Sequence, residues 1–234
     1  MYILIYGIIF LVLILALVPF SSSFLAIFGL ILAVIMVIAI VKRNATMINK
    51  IKDKYPADAL IIQNVDVGGV MKIANIDGYD EDLELKVIGK NLYVEGDYSW
   101  FELECLKSDG EKIWIDVDDD DELIVSVVLK KLRQNETKLS ASLKTIEENE
   151  KGTILYKEIE KSFSYIDSGN AVFYKHCDDK KPEKLLYWDF RNGNYILSIE
   201  NWLCDGNSKY EYFYSQLIKP HAIVVYSTGK EGNK

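Results

Sequence analysis

Several tryptophans and carboxylates alternate along the sequence in a pattern that could build a binding surface. Successive side chains of a β-strand point to opposite faces, so residues two positions apart share one face. An aromatic ring beside a carboxylate can contact a cation through both the ring face and the negative charge. The residues in this pattern are Trp100, Glu102, Glu104, Trp114, Asp116, Glu200 and Trp202.

Two interpretations of this pattern stay open. In the first, the tryptophans pack against a second layer of the fold and the carboxylates pair with lysines at its rim. In the second, the faces form one aromatic and acidic surface that recognises a basic peptide or a small cationic ligand. Catalysis by Glu102, Asp116 or Glu200 is the weakest hypothesis, because it requires a geometry that the sequence does not specify. We assign no catalytic residue.

The other reactive residue types form no metal or cofactor motif. A calcium loop of the EF-hand type needs glycine at its sixth position and glutamate at its twelfth. Counted from Asp116, these positions hold Asp121 and Val127, so we interpret the acidic run 116–122 as a solvated turn. Zinc-binding pairs have short spacings, and glycine-rich phosphate loops have fixed ones. Four possible ligands lack such a spacing: His176, Cys177, Cys204 and His221. We therefore predict no metal and no cofactor.

A hairpin is predicted to position the first tryptophans and carboxylates. A three-residue loop with glycine in the left-handed position pairs Cys105 with Ile113 and keeps the apolar face intact. In this register Glu102 stands directly opposite Asp116. The predicted strands and loop are Ser99–Leu106, Ser108–Gly110 and Lys112–Val117.

A second hairpin is predicted around Asn192-Gly193, which suits a two-residue type I′ turn. Its strands are Leu185–Arg191 and Asn194–Leu203. This turn pairs Phe190 with Tyr195, and it also pairs Trp188 with Leu197 and Leu186 with Ile199.

The remaining periodicity predicts a mainly β domain over residues 57–226, antiparallel and roll- or barrel-like, with one or two short helices and a flexible tail at 227–234. Residues 139–150 are the predicted helix or connector, residues 123–133 fit either a strand or a helix, and 167–170 is a predicted turn. Further predicted strands are Ala59–Val65, Val67–Ile73, Glu84–Val87, Asn91–Val94, Thr153–Tyr156, Lys161–Ile166, Ala171–His176 and His221–Tyr226.

The N-terminal segment is predicted to be a transmembrane hairpin (residues 1–41). Residues 1–18 and 24–41 carry no charge, and each would form about 27 Å of helix, close to the thickness of the hydrocarbon core. Pro19 and three serines separate them. A single span with a cleaved signal peptide is less well supported, because the start lacks a basic residue and a small-residue cleavage site.

Basic residues follow the second hydrophobic segment, in a linker helix predicted over 42–56. Positive residues stay on the cytoplasmic side, so we expect a multi-pass protein of the inner membrane with a cytoplasmic domain. These side chains can also meet anionic lipid headgroups. They are Lys42, Arg43, Lys50, Lys52 and Lys54.

Composition narrows the possible functions further. The chain has a formal net charge of −8, which argues against nucleic-acid binding. Three cysteines without a CxxC motif favour reduced thiols in a cytoplasmic setting.

Scattered aromatic and acidic motifs resemble a family of prokaryotic domains of unknown function, family 4178. The resemblance covers most of residues 60–226. It implies a compact β-rich domain that is often found with membrane or membrane-stress proteins, and it implies no established chemistry. The motifs are Gly68-Gly69-Val70, Trp100-Phe101-Glu102-Leu103, Trp114-Ile115-Asp116-Val117, Tyr187-Trp188-Asp189-Phe190 and Leu197-Ser198-Ile199-Glu200-Asn201-Trp202.

Two functional hypotheses follow. The preferred one is a non-catalytic, membrane-tethered binding or scaffold module that recruits a protein partner. The alternative is a sensor or accessory subunit that binds a small cationic ligand on the tryptophan and carboxylate face. The sequence assigns neither the partner nor the oligomeric state.

The predicted topology can be tested by thiol labelling. A cysteine placed at Ser22, in a background without the three native cysteines, should react with an impermeant reagent in intact cells, because the charge-free turn lies outside. A cysteine added at the C-terminus should stay unlabelled. The reverse pattern would contradict the topology.

Overall fold

A computed structural model describes residues 56, 59–120, 122–178, 181–204 and 207–229. These residues form twelve antiparallel strands and one α-helix, α1, at Leu143–Asn149. The strands are β1 Val70–Ile73, β2 Leu83–Glu95, β3 Tyr98–Lys107, β4 Lys112–Asp119, β5 Leu123–Leu132, β6 Thr137–Leu139, β7 Thr153–Tyr156, β8 Lys161–Tyr174, β9 Glu183–Asn192, β10 Tyr195–Cys204, β11 Asn207–Ile218 and β12 Ile223–Ser227.

Eight of these strands close into a barrel. Their order is β2-β3-β4-β5-β11-β10-β9-β8, and β8 pairs again with β2. The closing contact is short and consists of the pairs Leu92–Tyr174, Tyr93–Phe173 and Val94–Val172. The first part of the same β2 edge pairs with β1, and the first part of β8 pairs with β7. The two long strands therefore join the barrel to a flanking sheet on each side.

The two larger apolar cores lie outside the barrel, between its outer face and these flanking elements, whereas a smaller cluster around Tyr93 and Phe173 lines its interior. One core joins β2–β5 to β1, β12 and the segment 62–76, with Leu103 and Ile115 fully buried at its centre. The other joins β8–β11 to β6, β7 and α1, with Phe163 and Ile146 fully buried. Burial of these side chains stabilises the outer face, so the inner face does not need to be apolar.

The first hairpin is confirmed. Cys105 pairs with Ile113 and Glu102 with Asp116, as predicted. The Lys107 N–H donates to Glu111 O, which leaves a three-residue loop, and Gly110 has a φ of 86°. Glycine adopts this left-handed conformation without the steric cost that a β-carbon brings.

The second hairpin forms, but its predicted register is wrong by two residues. Tyr195 pairs with Asn192 instead of Phe190, and Leu197 pairs with Phe190. The turn is Gly193-Asn194, where Gly193 alone has a positive φ of 59°. A type II′ turn needs a positive φ only at its first central residue, whereas type I′ needs it at both. The faces are unchanged, because two residues is the period of a strand.

Two predictions in the N-terminal part of the domain are wrong. Residues 62–64 form a 3-10 turn instead of a strand, and Asn64 Nδ2 donates to the Pro56 and Ala59 carbonyl oxygens at 2.7 and 3.1 Å. Such side-chain bonds compete with strand pairing. The two short strands predicted around Gly89 are the single strand β2, whose register shifts between Val87 and Gly89. The glycine makes a bulge there and does not end the strand.

The predicted turn at 167–170 is also wrong, because these residues lie inside β8, which has a bulge between Tyr165 and Asp167. Strand β11 was not predicted. Its tyrosines at 210, 212 and 214 share one face, and its inner face carries Lys209, Glu211, Phe213 and Ser215. The ambiguous segment 123–133 is strand β5, α1 confirms the helix within 139–150, and β12 ends at Ser227, one residue beyond the predicted domain boundary.

The predicted transmembrane hairpin, Lys42, Arg43, Lys50, Lys52 and Lys54 lie outside the described residues. Within the part of the chain that the structure describes, no helix combines the length and apolar character needed to cross a membrane.

We predict that residues 56–234 fold when expressed alone, because they contain all twelve strands and both apolar cores. Far-UV circular dichroism should show β-structure and a cooperative thermal transition. A fragment ending at residue 206 is the matched control. Without β11, both β5 and β10 lose a partner, so this fragment should aggregate or remain unfolded. A helical spectrum of the longer fragment would contradict the fold.

Candidate functional site

The barrel encloses a cavity of about 770 Å³, to which all eight strands contribute side chains. An eight-stranded barrel has just enough interior space for packed side chains or for one small ligand. This volume falls in the usual range of small-molecule sites, about 300–1,000 Å³. All the predicted site residues line it: Trp100, Glu102, Glu104, Trp114, Asp116, Glu200 and Trp202.

Carboxylates stand directly opposite each other at three places on the inner face. The cross-strand pairs are Glu102–Asp116, Glu200–Glu211 and Asp167–Asp189. Side chains so placed are about 5 Å apart at their β-carbons, and like charges at this distance destabilise a strand pair. Each pair therefore needs protonation, a counter-charge or solvent.

Three of these carboxylates receive hydrogen bonds from neutral side chains, one of them being Asp189, which Ser198 contacts. Asn91 Nδ2 donates to Glu102 Oε1 at 2.8 Å, and Ser126 Oγ donates to Asp116 Oδ2 at 3.1 Å. Within the described part of the chain, the Glu200 side chain has no hydrogen-bond partner. The barrel encloses this side chain, and the area that stays accessible faces the cavity.

Lysines neutralise the acids at one end of the barrel. Lys112 lies 3.6 Å from Glu104, and Lys131 and Lys209 lie 2.8 and 2.5 Å from Glu211. Burial alone would raise the pKa of Glu211, but the two lysines lower it below its usual value. Among the described residues, no ion pair reaches the four carboxylates deeper in the barrel, which we call the central carboxylates: Glu102, Asp116, Asp189 and Glu200.

The central carboxylates are consequently weaker acids than usual. Burial, reinforced by the charge of Asp116, raises the pKa of Glu102 to about 8. Burial raises the pKa of Asp116 as well, against the bond from Ser126. Burial also raises the pKa of Asp189 to about 6. The pKa of Glu200 is raised by burial first and then by the charges of Glu102 and Asp116, so the four carboxylates interact across the cavity.

Aromatic rings form the wall of the cavity beside the β2–β8 contact. The Trp100 ring stacks on Tyr93, with centroids 5.1 Å apart, and meets Tyr187 edge-on at 5.7 Å. Trp202 contacts Phe173 edge-on at 5.1 Å. The Trp202 Nε1 atom is buried and has no acceptor among the described residues. This wall offers ring faces to a ligand next to the carboxylates.

The other end of the barrel has an acidic mouth. A second depression there shares Asp118, Asp167 and Tyr187 with the cavity, and it is also lined by Glu95, Asp120 and Glu122. Glu95 spans the gap between β2 and β8, where its Oε1 accepts the Asn170 N–H at 3.0 Å and its Oε2 accepts the Tyr187 hydroxyl at 2.7 Å. A β-carbon on Gly169 would lie 2.3 Å from Glu95 Oε1, so this approach requires glycine.

Sequence reasoning placed the seven residues on common faces, and the structure brings these faces into one cavity. Four further residues of the cavity were not predicted from the sequence, although the alternation along β9 and β11 was available as a signal for them. They are Asn91, Asp167, Asp189 and Glu211. The interpretation of the run 116–122 as a solvated turn is wrong for its first residues, because Asp116–Asp119 belong to β4 and Asp116 faces the cavity.

The histidines and cysteines considered for zinc are dispersed. His176 follows β8 and lies against Gly89, Cys204 ends β10, and His221 lies in the 3-10 turn before β12. Within the described ranges, no three histidine, cysteine, aspartate or glutamate side chains are grouped so that they could hold a metal ion.

Residues 82–220, more than half of the chain, match the family described as "Domain of unknown function (DUF4178)". The chain belongs to this family. The matched region runs from the start of β2 to the end of β11, so this DUF4178 domain contains every barrel strand and, apart from Tyr79, every residue that lines the cavity. No curated protein and no solved structure matches the chain.

The raised pKa of Glu102 predicts the pH dependence of stability. Between about pH 4.5 and 8 the folded DUF4178 domain holds a proton that the unfolded chain releases, so stability falls as the pH rises. We expect the free energy of unfolding to drop by about 1–2 kcal/mol from pH 6 to pH 8 in the ligand-free protein. Glu102→Gln should reduce this slope, with the other three central carboxylates supplying the remainder, and leave the domain as stable or more stable at pH 8.

Denaturant unfolding followed by tryptophan fluorescence measures this slope. Glu147→Gln, on the surface of α1, is the matched control and should keep the wild-type dependence. A wild-type stability that rises over this range would contradict the assignment.

Proposed function

We propose that this protein is a non-catalytic, membrane-tethered binding module that takes a small organic cation into the barrel of its DUF4178 domain. One observation supports this most directly: four carboxylates face a common aromatic cavity and have no ion-pair partner among the described residues. The DUF4178 domain lies on the cytoplasmic side if the N-terminal hairpin inserts with its basic flank facing inward, as the sequence predicts.

The energetic argument starts from the cost of burying charge. An ionised carboxylate that is removed from water without a counter-charge is strongly disfavoured, so it shifts its pKa and becomes neutral. Burying four such groups around one cavity lowers stability, whereas apolar residues at these positions would raise it. A cationic ligand offsets the cost, since it supplies a counter-charge to the four central carboxylates, which no ion pair reaches among the described residues.

The same geometry favours a small ligand over a folded partner. The sequence alone favoured a scaffold that recruits a protein through the tryptophan and carboxylate face. In the structure this face points into the barrel, where a small molecule fits and a protein surface does not reach. The proposal includes a sensor or accessory role at the membrane, linked to envelope stress as the family resemblance implies.

Tryptophan fluorescence provides a direct test in the full chain in detergent. The sequence has four tryptophans, and three of them, Trp100, Trp114 and Trp202, line the cavity. We expect n-butylammonium and tetramethylammonium to change the emission saturably at pH 8, with weaker binding as the pH falls and protons compete. The neutral n-butanol and the anionic butyrate should have no saturable effect.

Substitutions of the cavity carboxylates test whether the cation binds inside the barrel. The pair Glu102→Gln and Glu200→Gln, separately and together, should weaken cation binding at least about tenfold. Glu147→Gln is again the control on the surface. If neither organic cation changes the fluorescence, or if the variants bind like the wild type, the proposed function is wrong.

A further inference from the structure

Resting on the proposed function, we infer that the ligand is a linear aliphatic oligoamine whose ammonium groups bridge two carboxylate pairs on opposite walls of the barrel. The positions of these two pairs around the barrel follow from the strand order. Strand β10 is four strands from β3 in either direction around the barrel, and β9 is four strands from β4. Glu102 and Asp116 therefore face Glu200 and Asp189 across the cavity.

Each wall is a site for one ammonium group. On the first wall, Glu102 and Asp116 are directly opposite on neighbouring strands. On the second, Asp189 pairs with Ser198 and Glu200 with Tyr187, so the two carboxylates are diagonal neighbours, with backbones about 7–8 Å apart. A single ammonium can contact both acids of one wall through its three donors. A ligand with only this one ammonium group therefore leaves the carboxylates of the other wall without a counter-charge.

The distribution of the acids disfavours a metal ion as the occupant. Calcium takes six to eight oxygen ligands at about 2.3–2.6 Å, gathered around one point. The described carboxylates do not gather in this way, and the two pairs lie on separate walls. An extended ligand with separated charges matches this distribution, whereas a point charge does not.

The aromatic wall suits the chain that links the ammonium groups. Tyr93, Trp100 and Phe173 lie between the two carboxylate walls, beside the β2–β8 contact. Methylene groups lose water favourably against such rings, and the adjacent ammonium groups gain from the ring faces. The enclosed Glu200 side chain, which has no hydrogen-bond partner in the described part of the chain, acquires one in this arrangement.

The distribution of charge along the barrel indicates the end through which the ligand enters. Lys112, Lys131 and Lys209 hold the acids of one end in ion pairs. The opposite end is the mouth with Glu95, Asp118 and Asp167. A cleft lined by one sign of charge concentrates ions of the other sign, so an oligoamine enters through this mouth.

The test compares two ligands of equal length that differ in one charge, using the tryptophan signal of the full chain in detergent. 1,5-diaminopentane should bind at least about tenfold more tightly than 5-amino-1-pentanol at pH 8. Diamines from 1,3-diaminopropane to 1,8-diaminooctane should show an optimum length. Binding should also release protons, seen as a dependence of the calorimetric heat on the buffer.

Variants on each wall sharpen the comparison. Asp116→Asn and Asp189→Asn should each reduce the advantage of the diamine over the amino alcohol to about threefold or less, because either change weakens one of the two ammonium sites. Near-UV circular dichroism checks that both variants remain folded, and Glu147→Gln should retain the full advantage.

The outcomes separate the two proposals. Equal binding of the diamine and the amino alcohol overturns the oligoamine inference and leaves a site for a single cation. Competition by calcium at similar concentrations also overturns it, in favour of a metal site. If no cation binds, the proposed function itself fails.

Discussion

The rest of the structure depends on one constraint: carboxylates without counter-charges are enclosed in a closed barrel. Glu102, Asp116, Asp189 and Glu200 line the cavity, and no ion pair reaches them in the described part of the chain. Burial, reinforced by neighbouring carboxylate charges, raises the pKa of each, so we expect the ligand-free domain to be less stable at pH 8 than at pH 6. A fold that keeps such a group must gain its stability elsewhere.

That stability comes from the outer face of the barrel. Leu103 and Ile115 on one side, and Phe163 and Phe190 on the other, are buried against flanking strands instead of against each other. The arrangement reverses the usual placement of apolar residues at the centre of a small barrel. Because the two outer cores hold the strands in place, the interior can remain polar, aromatic and hollow. Glu95 and Gly169 complete the wall where β2 and β8 separate.

The two classes of interior acid show how charge is distributed along the barrel. Glu104 and Glu211 are satisfied by lysines of the chain itself, which is the arrangement expected for a purely structural ion pair. The central carboxylates lack such partners, although Lys112, Lys131 and Lys209 line the same cavity. Since the family match spans all eight barrel strands, this contrast lies entirely within the DUF4178 domain.

By itself, the sequence determined the faces of the strands and the register of the first hairpin. The strand period of two assigns each side chain to a face, and a loop of known length fixes which residues meet, as for Glu102 and Asp116. It did not determine the second register, because a slip of two residues leaves every face unchanged. Only the tertiary structure decided that both acidic faces share one cavity. The pairings of β2 with β8 and of β5 with β11 join segments far apart in the chain, and no local pattern encodes them.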